Sequence, residues 1–291
     1  MDINRRKFLK ALGITGVSLG AGKKLNAATP KKENVKEFYG ILYDSNLCMG
    51  CQSCEWACAT EHGLPEPDFE DFPEVGKKRK ANENRRSVIN LYNTSKGDVY
   101  VKNQCMHCNQ PACASACLTE AMRKTKEGPV IWIDRKCMGC RYCMVSCPYD
   151  VPKFEYNSSN PNIQKCDMCF DRISEGEKPA CVTDCPAGAL TFGPRRELIA
   201  EARRRINDNP DQYYDHIYGE HEAGGTGLLY ISPVPFEEIG FKTSVLNKPY
   251  PELTKGFLYG VPSVFILWPA ILLGINKATS HKNNQIAEEN E

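Results

Sequence analysis

The sequence predicts an α+β chain made of two modules related by an internal repeat and followed by a C-terminal transmembrane helix. Three observations carry this prediction. Sixteen cysteines fall only between Cys48 and Cys185 and sort into four groups of four. Short strand-like runs lie between the groups, and Gly256 to Asn276, GFLYGVPSVFILWPAILLGIN, carries no charged residue. The repeat is read first, because a recurring unit sets the architecture into which local elements must fit.

Cys48, Cys51, Cys54 and Cys58 form the first group, spaced C-x2-C-x2-C-x3-C. The second is Cys105, Cys108, Cys113 and Cys117, with a C-x4-C step in its middle. In the third, Cys137, Cys140, Cys143 and Cys147 return to the first spacing and Pro148 follows. The fourth is Cys166, Cys169, Cys181 and Cys185, with an insertion before Cys181 and Pro186 after its end. Three cysteines two residues apart let one loop wrap three corners of an iron-sulfur cubane, and the fourth thiolate must come from elsewhere. In two-cluster bacterial ferredoxins the fourth Cys of such a run ligates the other cluster. The groups are therefore expected to work in pairs, each pair a bacterial-ferredoxin-like dicluster module.

Other uses of cysteine fit less well. An even count suits disulfides in an exported protein, but disulfide geometry cannot be met by so many cysteines so close together, and it gives no reason for the x2 spacing to recur. Zinc prefers a pair of C-x2-C knuckles to a run of three plus one. Buried free thiols fail on number.

Between the groups, Val99-Tyr100-Val101 and Pro129 to Ile133 read as strands of small hairpins bordering the cysteines. Leu64 to Ser87, rich in Pro, Glu, Lys, Arg and Asn, reads as a surface insertion with solvated charges. Pro194 to Ile206 reads as a helix with Pro at its start and Leu198, Ile199, Ala202 and Ile206 on its core face. Gly224-Gly225-Thr226-Gly227 lacks the Lys-Ser/Thr of a phosphate loop and is expected to be a structural turn. Arg135, Lys136, Arg141 and Lys165 flank cysteines, where they either tune potentials or serve as surface charge. His107 lies in a group that already has four thiolates, so it is read as surrounding them rather than as a ligand. Trp56 and Tyr142 are expected to pack over the cysteine sites.

The ends read as addresses. Asn4-Arg5-Arg6-Lys7-Phe8-Leu9-Lys10, a Gly-rich apolar run and small residues at Ala27 and Ala28 match a twin-arginine export signal over residues 1–28. Residues 256–276 are long enough to cross a hydrocarbon core, and Lys277 and Lys282 beyond them place residues 277–291 as a cytoplasmic tail. That orientation leaves the cysteine region on the periplasmic side. Lys plus Arg total 37 against 36 acidic residues, so no electrostatic case exists for a nucleic-acid partner.

With these residues in view, LYDSNLCMGCQSC (42–54), VKNQCMHC (101–108), CMGCRYCMVSCPYDVPK (137–153), CPAGAL (185–190) and IYGEHEAGGTG (217–227) resemble the four-cluster ferredoxin subunits of bacterial respiratory oxidoreductases. That family includes the beta subunits of formate dehydrogenase and dimethyl sulfoxide reductase and the iron-sulfur subunit of hydrogenase-2. The resemblance implies four 4Fe-4S clusters and pairs group one with group four and group two with group three. One cluster would take Cys48, Cys51, Cys54 and Cys185, and its neighbour Cys58, Cys166, Cys169 and Cys181. A third would take Cys105, Cys108, Cys113 and Cys147, and the fourth Cys117, Cys137, Cys140 and Cys143. Cys58-Ala59 and Cys117-Leu118 depart from the Cys-Pro ending of the other two groups in the local turn, not in the ligands.

The expected domains are a ferredoxin domain over 36–206, an extension over 207–254 that packs on it, and the anchor. The expected function is electron relay, without catalysis of its own, between the small subunit of a [NiFe] hydrogenase and a quinone-reactive membrane subunit. The equivalent subunit of a molybdopterin enzyme is the alternative. A disulfide-stapled, membrane-tethered binding protein is the alternative of another class, and it would be colourless.

Overall fold

A computed structural model describes residues 37–68 and 70–288. The expected export signal lies outside these residues. Residues Lys36–Leu253 form one compact unit, and the segment from Thr254 onward belongs to another.

In the first unit, β1 (Tyr39–Asp44) leads through the first cysteine loop into α1 (Ser53–Glu61). A hairpin of β2 (Val88–Thr94) and β3 (Gly97–Asn103) follows, then α2 (Ala112–Ser115) and a hairpin of β4 (Met122–Lys124) and β5 (Val130–Trp132). A 3-10 turn (Asp134–Lys136), α3 (Tyr142–Val145) and a short pair, β6 (Lys153–Phe154) and β7 (Ile163–Gln164), come next. The chain continues through α4 (Phe170–Ser174), α5 (Ala180–Thr183), β8 (Leu190–Pro194), α6 (Arg195–Asp208) and β9 (Leu228–Ile231). The strands expected at Val99–Val101 and Pro129–Ile133 are thus hairpin strands. The helix expected from Pro194 runs Arg195–Asp208, with Pro194 as its N-cap.

One three-stranded sheet, ordered β8-β1-β9, organises this unit. β1 runs antiparallel to β8, with Leu42 opposite Thr191, and parallel to β9, with Leu42 beside Leu229. Because side chains alternate along a strand, each strand supplies two cores. Leu42, Leu229 and Ile231 pack with Leu198, Ala202 and Ile206 of α6. Ile41, Tyr43, Leu228 and Tyr230 face the other way, toward Ile89, Val101, Tyr218 and Phe236. Both faces of the sheet are therefore covered, which is why β1 is buried from Gly40 to Asp44. Gly40 is needed for closeness: a Cβ there would stand 2.6 Å from the Gly227 carbonyl oxygen.

Two buried ionic knots hold loops onto this frame. Asp44, fully buried, accepts from Tyr213 Oη at 2.8 Å and Arg205 Nη1 at 3.0 Å, so α6 and the segment after it are tied to the end of β1. Arg79 lies in the stretch read from sequence as a solvated insertion, yet its side chain is 4% exposed. Its guanidinium makes a bidentate pair with Glu55 at 2.7 and 2.8 Å and donates to Asp71 at 2.9 Å. Glu55 also accepts from the Ile89 N–H at 2.6 Å. The insertion thus supplies a buried strap between α1 and β2, because an isolated Glu55 beneath it would be a charge stripped of water.

The last helix, α7 (Tyr250–Glu288), belongs to the second unit from Thr254 onward, and its Tyr250–Lys277 stretch is apolar and long enough to cross a membrane. It stays helical through Pro262 and Pro269 and continues past residue 276 into the expected tail.

Candidate functional site

The cysteine loops wrap because their backbones turn left-handed at set points. Gly50 and Gly139 have φ of 72° and 70°, and the residues two places on, Gln52 and Arg141, have φ of 58° and 59° before α1 and α3 begin. A side chain at Gly50 would collide with the Tyr100 ring, so glycine there lets the loop lie against β3.

All sixteen cysteines are free thiols, and they gather in fours. Cys48, Cys51, Cys54 and Cys185 line one cavity, with Tyr43, Gln52 and Ile89 in its wall. Burial pushes the Cys54 thiol up to about 11, with Lys102 pulling it down and Cys48 and Cys185 adding to the rise. Cys181 is pushed up to about 12 by burial, with Cys54, Cys169 and Cys58 as its repelling neighbours. Cys166 is raised by burial, by Asp167, and by Cys58, Cys105 and Cys181. Burial raises Cys108 as well, aided by Cys105, Cys147 and Cys113, and Cys143 reaches about 11 through burial and the nearness of Cys117, Cys137 and Cys140.

Some of these neighbours cross from one quartet to the next. Cys54 acts on Cys181, Cys105 on Cys166, and Cys143 on Cys113. The four quartets accordingly follow one another in a row. Soft sulfur donors in fours, none spent in a disulfide, are the donor set that a 4Fe-4S cluster takes. Zinc would also accept four thiolates.

Buried cations and donors surround the quartets; Lys165 and His107 stand out in the sequence by their place beside cysteines, whereas Lys102 and His62 do not. Lys102 of β3 is 1% exposed, donates Nζ to Ser87 Oγ at 2.6 Å, and has no carboxylate partner among the described residues. Burial pushes its ammonium down, but Cys54, Cys181, Cys58 and Cys166 outweigh that and raise it. Its charge therefore stands between the first two quartets. In sequence it is only a lysine next to last in a strand, after Val99-Tyr100-Val101.

Lys165 is also buried and donates to the carbonyls of Val130 and Cys166. His107, expected merely to surround its group, is fully inside at 1% exposure. His62 Nε2 lies 3.3 Å from Asp167 Oδ1 and 3.7 Å from Cys169 Sγ. Asp167 in turn accepts from Arg86 at 2.7 Å.

The remaining flanking cations are surface groups. Arg135, Lys136 and Arg141 are exposed, and the Arg141 guanidinium lies over the Phe154 ring at 5.4 Å. Tyr142 is 61% exposed. Trp56 borders a surface cleft with Cys51 and Ala57. The Gly224–Gly227 run is a turn, with Gly224 and Gly225 at positive φ and Thr226 Oγ1 donating to the Leu228 carbonyl at 2.6 Å.

Comparison with known proteins adds to this geometry. A family model described as a 4Fe-4S dicluster domain matches residues 98–195. A protein of Nitratidesulfovibrio vulgaris is 43% identical over 99% of this chain and 80% of its own length. The hydrogenase-2 operon protein HybA of Escherichia coli O157:H7 is 34% identical over 81% of this chain and 83% of its own length. The B subunit of the anaerobic dimethyl sulfoxide reductase of Escherichia coli K12 is 40% identical over 55% of this chain and 75% of its own length.

Proposed function

The protein belongs to the iron-sulfur electron-transfer subunits of respiratory oxidoreductases that carry four 4Fe-4S clusters, and from that premise we propose that it is the periplasmic relay subunit of a membrane-bound [NiFe] hydrogenase. The observation that carries the relay is the row of four thiol quartets, each within electrostatic reach of the next. When bound, the clusters supply one-electron oxidation and reduction. Every other part of the task falls to the polypeptide.

In this reading Cys48, Cys51, Cys54 and Cys185 hold the first cluster, and Cys58, Cys166, Cys169 and Cys181 the second. Cys105, Cys108, Cys113 and Cys147 hold the third, and Cys117, Cys137, Cys140 and Cys143 the fourth. The ligand sets coincide with the quartets of neighbouring thiols, which supports them. Two ferredoxin-like modules related by repeat are supported by the matching left-handed turns at Gly50-Cys51-Gln52 and Gly139-Cys140-Arg141. Lys102 offsets the negative charge that two closely placed thiolate clusters accumulate.

The row ends in exposed thiols, Cys51 at one end and Cys140 at the other. Apolar side chains stand bare beside each: Leu47 and Met49 at the first, and Leu118, Met138 and Val145 at the last. Those two ends are where a hydrogenase small subunit and a quinone-reactive membrane subunit would dock. Residues 1–28 direct twin-arginine export and 256–276 anchor the chain, with the cysteine domain outside. The longer alignment with the hydrogenase-2 operon protein, 81% of this chain against 55% for the dimethyl sulfoxide reductase subunit, favours the hydrogenase over a reductase of the dimethyl sulfoxide type as partner.

Purification from native membranes without oxygen, with identification of the proteins and metals that accompany the chain, tests this. A nickel-bearing hydrogenase is expected. A molybdenum protein in its place would keep the relay and overturn the partner.

A further inference from the structure

His107 stands where two quartets meet. Its neighbours in sequence, Cys105 and Cys108, belong to the third quartet, while its ring reaches Cys166 of the second. Nδ1 accepts the Val130 N–H at 2.9 Å, so the ring proton must sit on Nε2. Nε2 lies 3.5 Å from Cys166 Sγ, so Nε2–H donates to sulfur.

The residue is held from every side. Its backbone is left-handed at φ 49°, as are Gly50, Gly139 and Met168 at the same place in the other three cysteine loops, so the turn that wraps the loop also sets the direction of the ring. Its carbonyl accepts from Lys124 Nζ at 3.0 Å and from the Gly227 N–H at 3.1 Å. Gly227 leaves room for the ring's Cβ, since a side chain there would come within 3.2 Å of it. The carbonyl of Val130, the residue that sets the tautomer, accepts from Lys165, which also donates to the Cys166 carbonyl at 2.8 Å. A small network thus joins the Cys105–Cys108 loop, β5 and the Cys166 loop. The turn is common to the four loops, whereas a buried ring with its one free donor aimed at a sulfur of another quartet is particular to His107.

We propose that His107 is a positioning residue of the electron path: from a loop of the third site it donates Nε2–H to Cys166 Sγ of the second, raising the potential of the second cluster and fixing the gap between the two. A hydrogen bond to a ligand sulfur withdraws electron density from iron and favours the reduced cluster. This inference rests on the ligand sets proposed above.

Two variants of the whole cluster-loaded chain test it, read by iron content and by redox titration followed by electron paramagnetic resonance. His107→Asn keeps an acceptor for Val130 and tolerates the left-handed backbone, but it is too short to reach Cys166. His107→Gln restores a donor at the Nε2 position. The Asn variant is expected to keep its iron while one couple moves to lower potential. At fixed ambient potential its reduced-to-oxidised ratio should fall about tenfold, which is about 59 mV for one electron. The Gln variant should recover most of that shift. Loss of one cluster in Asn with full iron in Gln supports the inference equally, because the donor to sulfur is what separates the two.

Equal behaviour of the two variants, whether both like the native protein, both shifted or both depleted, overturns it and leaves the ligand sets standing. Should the shifted couple survive in Cys181→Ser, which removes a ligand assigned to the second cluster, the ligand sets themselves fail.

Discussion

The half of the molecule built from Cys48–Cys58 and Cys166–Cys185 and the half built from Cys105–Cys117 and Cys137–Cys147 carry equal numbers of thiols on very different supports. The first half leans on the three-stranded sheet and on an aromatic core in which the Tyr218, Tyr230 and Phe241 rings meet at 4.6 and 4.8 Å. Buried Glu55–Arg79 and Lys102 add charge within it. In the second half the hairpins β4–β5 and β6–β7 enclose a small core of Met122, Val130 and Ile163. Leu118 and Val145 are 88% and 83% exposed there. Four thiol-to-iron bonds per cluster can hold a loop that has little core of its own, which frees its apolar side chains for a partner. The contrast therefore separates a half stabilised by its own packing from a half stabilised by its cofactors.

Single ligand changes should produce the largest effects. Cys54→Ser and Cys143→Ser are each expected to lower iron by about four atoms per chain, one cluster's worth. Protease protection of the free half should fall far more in the second variant, because the core there is small. Equal loss of protection in the two would break the comparison.

Arg79→Ala comes next. It strands Glu55 at 2% exposure without its partner, and breaking such a pair costs about 3–5 kcal/mol. A fall in thermal midpoint is expected, with release of the clusters of the first half before those of the second. Release in the opposite order would assign the strap to the wrong half.

Replacing Leu118 and Val145 together by Gln should leave stability within about 0.5 kcal/mol per site, as for most surface changes, and lower retention of a partner during purification from membranes. Unchanged retention would deny the second half its docking role.

Smallest is a pH effect. His216 is raised by its 2.8 Å hydrogen bond to Glu222, and the His216 side chain is 42% exposed. A raised histidine stabilises fully below its unfolded value of about 6.5, and that contribution is lost as pH rises through the folded value. At this exposure it amounts to no more than about 0.5 kcal/mol. His216→Gln should flatten stability between mildly acidic and mildly alkaline pH, read from thermal midpoints across that range.

Legibility from sequence followed the range of the interactions. The cysteine groups, the β2–β3 and β4–β5 hairpins and the apolar face of α6 are local patterns, and each could be read from spacing or periodicity. The parallel pairing of β1 with β9, Ile41 beside Leu228, joins distant parts of the chain and leaves no local trace. Arg79 reads as a solvated charge because its partner, Glu55, sits inside a cysteine group 24 residues earlier. Lys102 escapes notice for a related reason, and His107, legible as a neighbour of its own group, gives no sign of its contact with Cys166. Nothing local shows that a strand lysine or a loop histidine has thiols of another group overhead.

The most direct measurement is iron and acid-labile sulfide per chain in protein purified without oxygen. About sixteen of each are expected for four 4Fe-4S clusters, in a brown protein. A colourless protein with negligible iron, or zinc in its place, would contradict the account at its root.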